Sequence, residues 1–317
     1  MKKPLIILTG PTAVGKTKLS ISLAQAVNGA IISADSMQVY RHMDIGSAKI
    51  RPEEMCGVPH YLIDVLDPSE EFHVVKFVEL AHEAMEKIYA AGQIPIVTGG
   101  TGFYIQALLK EVDFTESHGE LPIRKQLEEK AATEEGAAEL YRELSEVDPA
   151  SAETIHPNNV KRVIRALEYY HETGQKISEH NEEQKQKESP YCSAYFVLND
   201  ERSILYDRID RRVDQMICDG LVDEVFRLKE MGYTRDLVSM QGLGYKELFP
   251  YLAGECTLEE AVYIIKRDTR HFAKRQLTWF RREKDVIWLN KPDFEYDNTK
   301  ILTYMMDVLQ AKRILPA

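Results

Sequence analysis

Along this chain the apolar positions alternate between two periods. "PLIILTG" is a short unbroken apolar run ending in glycine, and "AIISADS" and "IPIVTGG" repeat the form. Runs this short and this apolar predict strands buried on both faces. Between them, "KLSISLAQAVNG" carries Leu19, Leu23 and Ala26 at helical spacing up to a stop at Gly29. "VKFVELAHEAMEKIYAAG" puts Val75, Val78, Met85 and Ile88 on one face before Gly92. Strands alternating with helices predict crossover units and a parallel sheet covered on both sides.

The texture changes near Asp113. "LPIRKQLEEKAATEEGAAELYRELSEV" and "PNNVKRVIRALEYYHETG" are charged, alanine-rich and helical, and "HNEEQKQKESP" reads as an exposed linker. "SAYFVLND" returns to strand character. "ILYDRIDRRVDQMICDGLVDEVFRLKEMG" is a long helical pattern with a break at Gly220, more helix runs to Arg282, and "DVIWLN" is a last strand. The expectation is an α/β fold, a P-loop NTPase-like parallel sheet flanked by helices, with a helical insertion domain. Residues 1–112 and 191–317 would form the core, with a basic helical C-terminal part, and residues 113–190 the insertion.

Onto that frame falls "GPTAVGKT", Gly10, Pro11, Thr12, Ala13, Val14, Gly15, Lys16 and Thr17, which satisfies G-x-x-x-x-G-K-[ST] between a strand and a helix. Glycines let backbone N–H groups converge on phosphate oxygens, and the helix N-terminus adds partial positive charge. Lys16 supplies a full charge, and the Thr17 hydroxyl suits a magnesium ion bridging phosphates. The loop recognises a shape of charge and names no nucleoside. No N-K-x-D guanine reader follows it, nor a convincing second strand of four apolar residues ending in Asp.

Instead the second strand ends in "SADSMQVY", which places Asp35 at the carboxyl edge of the sheet, where open α/β folds react. There it suits a magnesium ligand, a general base or a turn cap. "VTGGTGFYIQALL" puts a second small-residue loop, with Thr101, at the same edge. Arg208 in "LYDRIDRR" suits either a surface helix pair or a guanidinium aimed at the cradle.

Composition narrows the reading. The 317 residues, 44 % hydrophobic and 29 % charged, fit a globular protein of one large domain with an insertion, or of two domains. The cysteines Cys56, Cys192, Cys218 and Cys256 form no C-x-x-C pair, so a reducing cytoplasm is the expected setting. The apolar start is too short for a signal peptide, and no stretch is long enough to span a bilayer. A net charge of −11 argues against nucleic acid, yet "KRDTRHFAKRQLTWFRREK" has the opposite local sign. Its cations are interleaved with His271, Phe272, Trp279 and Phe280, a mixture suited to phosphates and stacked bases, or to a solvated basic helix with its aromatics in the core.

Taken together, "GPTAVGKT", "SADSMQVYRHMDIGSAK", "VPHYLIDVLDP", "GGTGFYIQALL", "NVKRVIRALE", "MQGLGYKE" and "RHFAKRQLTWFRR" resemble, in order, the tRNA dimethylallyltransferases, also called tRNA isopentenylpyrophosphate transferases. That resemblance implies transfer of a dimethylallyl group from dimethylallyl diphosphate to the exocyclic amine of the adenosine 3′-adjacent to a tRNA anticodon. The glycine loop would then hold the allylic diphosphate, with magnesium on Thr17. Asp35 would be the base, and Thr101 and Arg208 further catalytic residues. It also implies that Ser36, Met37 and Gln38 join Asp35 and Thr101 at the flipped nucleotide. Arg124, Asn159, Val160, Lys161, Arg162, Val163, Gln241, Gly242, Gly244, Lys274, Arg275, Gln276, Trp279 and Arg281 would hold the remaining tRNA. A compact bacterial type without a C-terminal zinc finger, acting as a monomer, is expected. The competing readings are a small-molecule kinase, an adenylate isopentenyltransferase acting on a free nucleotide, and a non-catalytic RNA-binding NTPase.

Overall fold

The computed structural model describes residues 2–112 and 122–315. The chain divides into two compact units, Met1–Leu109 with Pro190–Ala317, and Lys110–Ser189. The expected boundary at residue 113 and the start of the first expected insertion helix, Leu121, lie outside the described residues.

The larger unit opens with β1 (Lys3–Thr9), α1 (Lys16–Val27), β2 (Gly29–Ala34), the two-residue β3 (His60–Tyr61), α2 (Val74–Ala90), β4 (Ile94–Gly99) and α3 (Gly102–Lys110). Helices α4 (Pro122–Lys130), α5 (Glu134–Val147), α6 (Pro149–Thr154), α7 (Val160–Thr173) and α8 (Ile177–Gln186) make the smaller unit. The chain then forms β5 (Tyr191–Asn199), α9 (Arg202–Cys218), α10 (Leu221–Glu230), α11 (Leu248–Leu252), α12 (Leu258–Phe280), β6 (Val286–Asn290) and α13 (Asn298–Ala311).

All six strands are parallel, in the order β3-β2-β4-β1-β5-β6. Their apolar runs feed two cores by strict alternation. Leu5 and Ile7 of β1 join Phe77, Met85 and Ile88 of α2 and Ile105 and Leu108 of α3 on one face. Ile6 and Leu8 join Leu19 and Leu23 of α1 and Ile301, Met305 and Leu309 of α13 on the other. Burial on both sides is why these strands lack the polar alternation of a one-faced sheet.

Three details differ from the pattern-based expectation. Helix α1 stops one turn position early, because Asn28 takes the left-handed conformation, φ 50°, and Gly29 already belongs to β2. A Cβ on Gly29 would lie 2.9 Å from the Ile94 carbonyl oxygen of the neighbouring strand, so the glycine is there for close approach. The supposed linker "HNEEQKQKESP" is helical as far as Gln186. Its charge hid one packed side: Asp148 accepts from the Ser178 backbone N–H and hydroxyl at 3.0 and 2.6 Å, and the His180 ring meets Tyr169. The edge strand β3 and the terminal helix α13 carried no pattern strong enough to announce them.

The smaller unit has its own core of Leu127, Leu140, Leu144, Val163, Ile164 and Leu167.

Candidate active site

The register of the sheet builds the site. Thr9 at the end of β1 pairs with Gly99 of β4, and Gly99 pairs with Ala34 of β2. Three loops therefore leave the sheet at one level: the Gly10–Gly15 loop, the segment from Asp35, and the Gly100–Thr101 loop. Neither Gly10 nor Gly99 has room for a side chain, since a Cβ would lie 2.3 Å from the Leu198 and Ala34 carbonyl oxygens respectively.

The first loop is shaped by left-handed residues. Ala13 has φ 62°, and Gly15, at φ 99°, stands before α1 with no side chain capping the helix. The first N–H groups of α1 are thus left for an anion, with the helix dipole behind them. The Lys16 ammonium is folded over its own loop and donates to the Gly10 and Pro11 carbonyls at 2.9 and 2.8 Å. Burial first, then the like charge of Arg212, lowers its pKa to about 7 against the opposing pull of Asp35. From behind, the buried Lys291 donates to the Val14 carbonyl at 3.1 Å.

Asp35 uses one oxygen to cap its own turn: Oδ1 accepts from the Met37 N–H at 2.9 Å and the Gln38 N–H at 3.4 Å. This fixes the carboxyl group at the edge, with the electrostatic field of Lys16 and Arg212 acting on it. Arg208, singled out in the sequence, is engaged in an ion pair. Its Nη1 donates to Asp200 Oδ2, a carboxylate with a fully buried side chain. The arginine whose charge is felt by Lys16 and Asp35 is Arg212, one helical turn further along α9; burial opposes its charge and Asp35 supports it. Sequence reading missed Arg212 because three arginines crowd "DRIDRR", and only the packing of α9 tells them apart.

Helix α12 docks on the second glycine loop. Gln276 accepts the Thr12 N–H at 2.9 Å and donates to the Gly100 carbonyl at 3.0 Å. A Cβ on Gly102 would lie 2.2 Å from the Trp279 ring, and Phe103 meets that ring edge-on at 6.1 Å. Thr101 donates its N–H to the Ala34 carbonyl at 3.3 Å, and its own carbonyl accepts from the N–H groups of Tyr104 and Ile105 in α3.

Beyond Asp35 the chain is held by buried groups. Gln38 accepts from Ser33 and donates to the Ser47 and Ala48 carbonyls, while Gly242 packs against the Met37 sulfur. The buried Glu224 of α10 accepts from the N–H groups of Asp44, Ile45 and Gly46 and from the Tyr245 hydroxyl. Between this segment and α9 lies a cavity of about 490 Å³, with Ile45, Ala48, Ile50 and Met216 on its apolar side and Asp44, Lys49, Arg51, Asp64, Arg212, Gln215 and Asp219 making the rest of the wall mostly charged.

Of the residues that the resemblance assigns to tRNA, Lys274 and Arg275 are exposed cations on α12, Arg281 is an exposed cation just past its end, and Ser36 is half-buried at the edge. Lys161 and Arg162 are exposed at the start of α7, after Asn159. Arg124 pairs with Glu128 and Glu168. Val163 is only 1 % exposed, packed in the core of its unit, whereas Val160 is half-buried. Gln241 is exposed, and Gly244 has φ 92°. Two cations of the basic segment are spent within the fold: Lys266 pairs with Asp214, and Arg270 with Asp210, both on α9.

A parallel α/β sheet presenting an anion-binding glycine loop, a buried ammonium and a carboxylate at one edge defines a class of group-transfer folds. Residues 38–283 match the IPP transferase family model, and residues 3–71 the isopentenyl transferase model. The chain is 65 % identical over 313 residues, 99 % of each sequence, to a tRNA dimethylallyltransferase of Lachnoclostridium phytofermentans. It is 45 % identical to the crystal structure of the full-length tRNA isopentenylpyrophosphate transferase of Bacillus halodurans, with a TM-score of 0.74 and 98 % of both chains covered. A eukaryotic dimethylallyltransferase captured acting on tRNA matches at 36 % identity and a TM-score of 0.79, over 91 % of this chain and 74 % of that one. The chain belongs to the IPP transferase family.

Proposed function

We propose that this protein transfers a dimethylallyl group from dimethylallyl diphosphate to N6 of the adenosine 3′-adjacent to the anticodon of a tRNA, releasing diphosphate. The observation that carries the reading is a glycine-rich loop with Lys16 and the Asp35 carboxylate at one sheet edge, within the electrostatic reach of Arg212, in a chain of this family.

The N6 lone pair forms a bond to C1 of the allyl group as the C1–O bond breaks and its electron pair leaves on the diphosphate. The amine proton passes to the Asp35 carboxylate, whose capped oxygen holds the group in place for general-base work. Negative charge growing on the diphosphate is met by the α1 N-terminus, by Arg212, and by Lys16 swung from its own loop. An anion arriving there restores the Lys16 charge that burial suppresses. The prenyl chain is assigned to the apolar side of the cavity beside Arg212, formed by Ile45, Ala48, Ile50 and Met216 among charged neighbours.

Thr17 is exposed on the first turn of α1, and its hard hydroxyl oxygen fits magnesium. Among the described residues no group of three or more His, Cys, Asp or Glu is gathered for a metal, and Thr17 is the residue we assign to hold the ion. Such an ion, when bound, neutralises the leaving group.

The exposed cations of α12 and α7 are assigned to the RNA, and extraction of the target base costs a few kcal/mol of stacking. No helix among the described residues is long and apolar enough to cross a membrane. A cytoplasmic monomer is the setting we infer. The test is nucleoside mass spectrometry of tRNA incubated with the protein, dimethylallyl diphosphate and magnesium. AMP as the better acceptor, or ATP turnover in place of prenylated adenosine, would overturn the reading.

A further inference from the structure

We infer that Gln276 is a positioning residue for the diphosphate loop and not a contact to tRNA; the inference rests on the function proposed above. The Gln276 side chain is spent at both ends, on Thr12 N–H and on the Gly100 carbonyl, and the residue is 6 % exposed. The glycine it meets is built around it, since a Cβ on Gly100 would lie 2.1 Å from Gln276 Nε2.

What it holds is one peptide unit. The Pro11–Thr12 amide gives its N–H to Gln276 Oε1 and its carbonyl oxygen to the Lys16 ammonium at 2.8 Å. In a planar trans peptide the two groups point in opposite directions, so anchoring the N–H aims the carbonyl. Gln276 thereby sets where Lys16 rests, without touching it. The same bond withholds the Thr12 N–H from phosphate and leaves the anion to the donors further along the loop.

The far side of α12 carries the exposed Lys274 and Arg275, with Arg281 exposed just past the helix end, while Ala273, Gln276 and Phe280 are its buried face. One helix therefore presents cations outward and clamps two reaction loops inward.

Gln276→Met keeps the length of the side chain and removes both hydrogen bonds. With magnesium present, the variant should bind inorganic pyrophosphate at least about fivefold more weakly. Its kcat should fall roughly tenfold, the scale of a lost buried hydrogen bond and a misplaced group. Its Kd for unmodified tRNA should stay within about twofold, because the side chain touches only protein. Weaker tRNA binding with unchanged pyrophosphate binding would overturn the inference, as would a folded variant that matches the wild type in all three. Amide hydrogen exchange on the unliganded wild type needs no variant and no donor. Thr12 N–H should be strongly protected, and fast exchange there would equally sink the clamp. Wild type that fails to bind pyrophosphate would count against the proposed function, and Thr12 protection would still decide the clamp.

Discussion

Arg208 and Asp200 form a closed pair: Arg208 Nη1 lies 2.5 Å from Oδ2 of a carboxylate whose side chain is fully buried, with Lys291 4.0 Å away. Lys291 in turn holds the Val14 carbonyl, so the pair underpins the phosphate loop from behind.

Arg208 and Arg212 should therefore fail in different ways. Arg208→Gln weakens the partner of a buried charge and should cost about 1–3 kcal/mol of stability in urea unfolding. Arg212→Gln should leave the unfolding midpoint nearly in place and lower kcat on the order of 100-fold, the usual effect of losing one donor to a developing anion. The reverse pattern would return the catalytic assignment to Arg208.

Asp35→Asn retains an oxygen for the Met37 N–H and loses the proton acceptor. Its kcat should fall by about 10²–10⁴, with pyrophosphate binding kept within about twofold. Asp35→Ala loses the turn cap as well, and should also unfold at lower denaturant. Incorporation of prenyl label into tRNA, read beside a pyrophosphate titration, separates the two effects.

Glu224 satisfies three consecutive N–H groups and the Tyr245 hydroxyl at 2.7–3.1 Å. Glu224→Ala leaves the buried Tyr245 hydroxyl and the three part-buried N–H groups without this acceptor and should cost about 3 kcal/mol. Glu224→Gln, which keeps an oxygen there, should lose distinctly less. Chemical denaturation of the two variants checks the order.

Asp148 couples the starts of α6 and α8 through Ser151 and Ser178. Burial pushes its carboxyl group up, but the hydrogen bonds from Ser178 and Ser151 prevail and hold its pKa below the ordinary 3.8. A carboxylate with a lowered folded pKa stabilises fully above the ordinary Asp value, and that stabilisation is lost as pH falls through the folded value. Asp148→Asn should thus be less stable than wild type at neutral pH, and the gap should close on acidification. Asp148→Ala removes two caps at about 1–2 kcal/mol each.

Local pattern was enough for some elements and not for others. The buried strands ending at Thr9, Ala34 and Gly99 were legible because an apolar run bounded by glycine has few other uses. Helix α8 was not, because its sequence is polar nearly all round and its order comes from Asp148 and Tyr169. The strand β3 is two residues long, and no periodicity can register over two residues. At the site, the glycine loop, Asp35 and the Gly99–Gly102 segment showed themselves by residue type. Gln276 looked like part of a basic, RNA-facing run, and nothing in "KRQLTWF" tells which side of the helix is buried.

From its order of residues alone this chain was committed to a parallel α/β sheet, to an anion-binding loop after the first strand, and to a carboxylate after the second. Those features follow from short-range rules of burial period, glycine conformation and helix termini, which need no knowledge of distant partners. The tertiary structure alone decided which arginine of α9 stands with Lys16, which cations of α12 are neutralised by α9, and which face of α12 grips the loops. Each of those depends on how two helices and a sheet edge pack. One helical turn, four residues in sequence, separates an arginine paired with a buried carboxylate from a charge near the reacting edge.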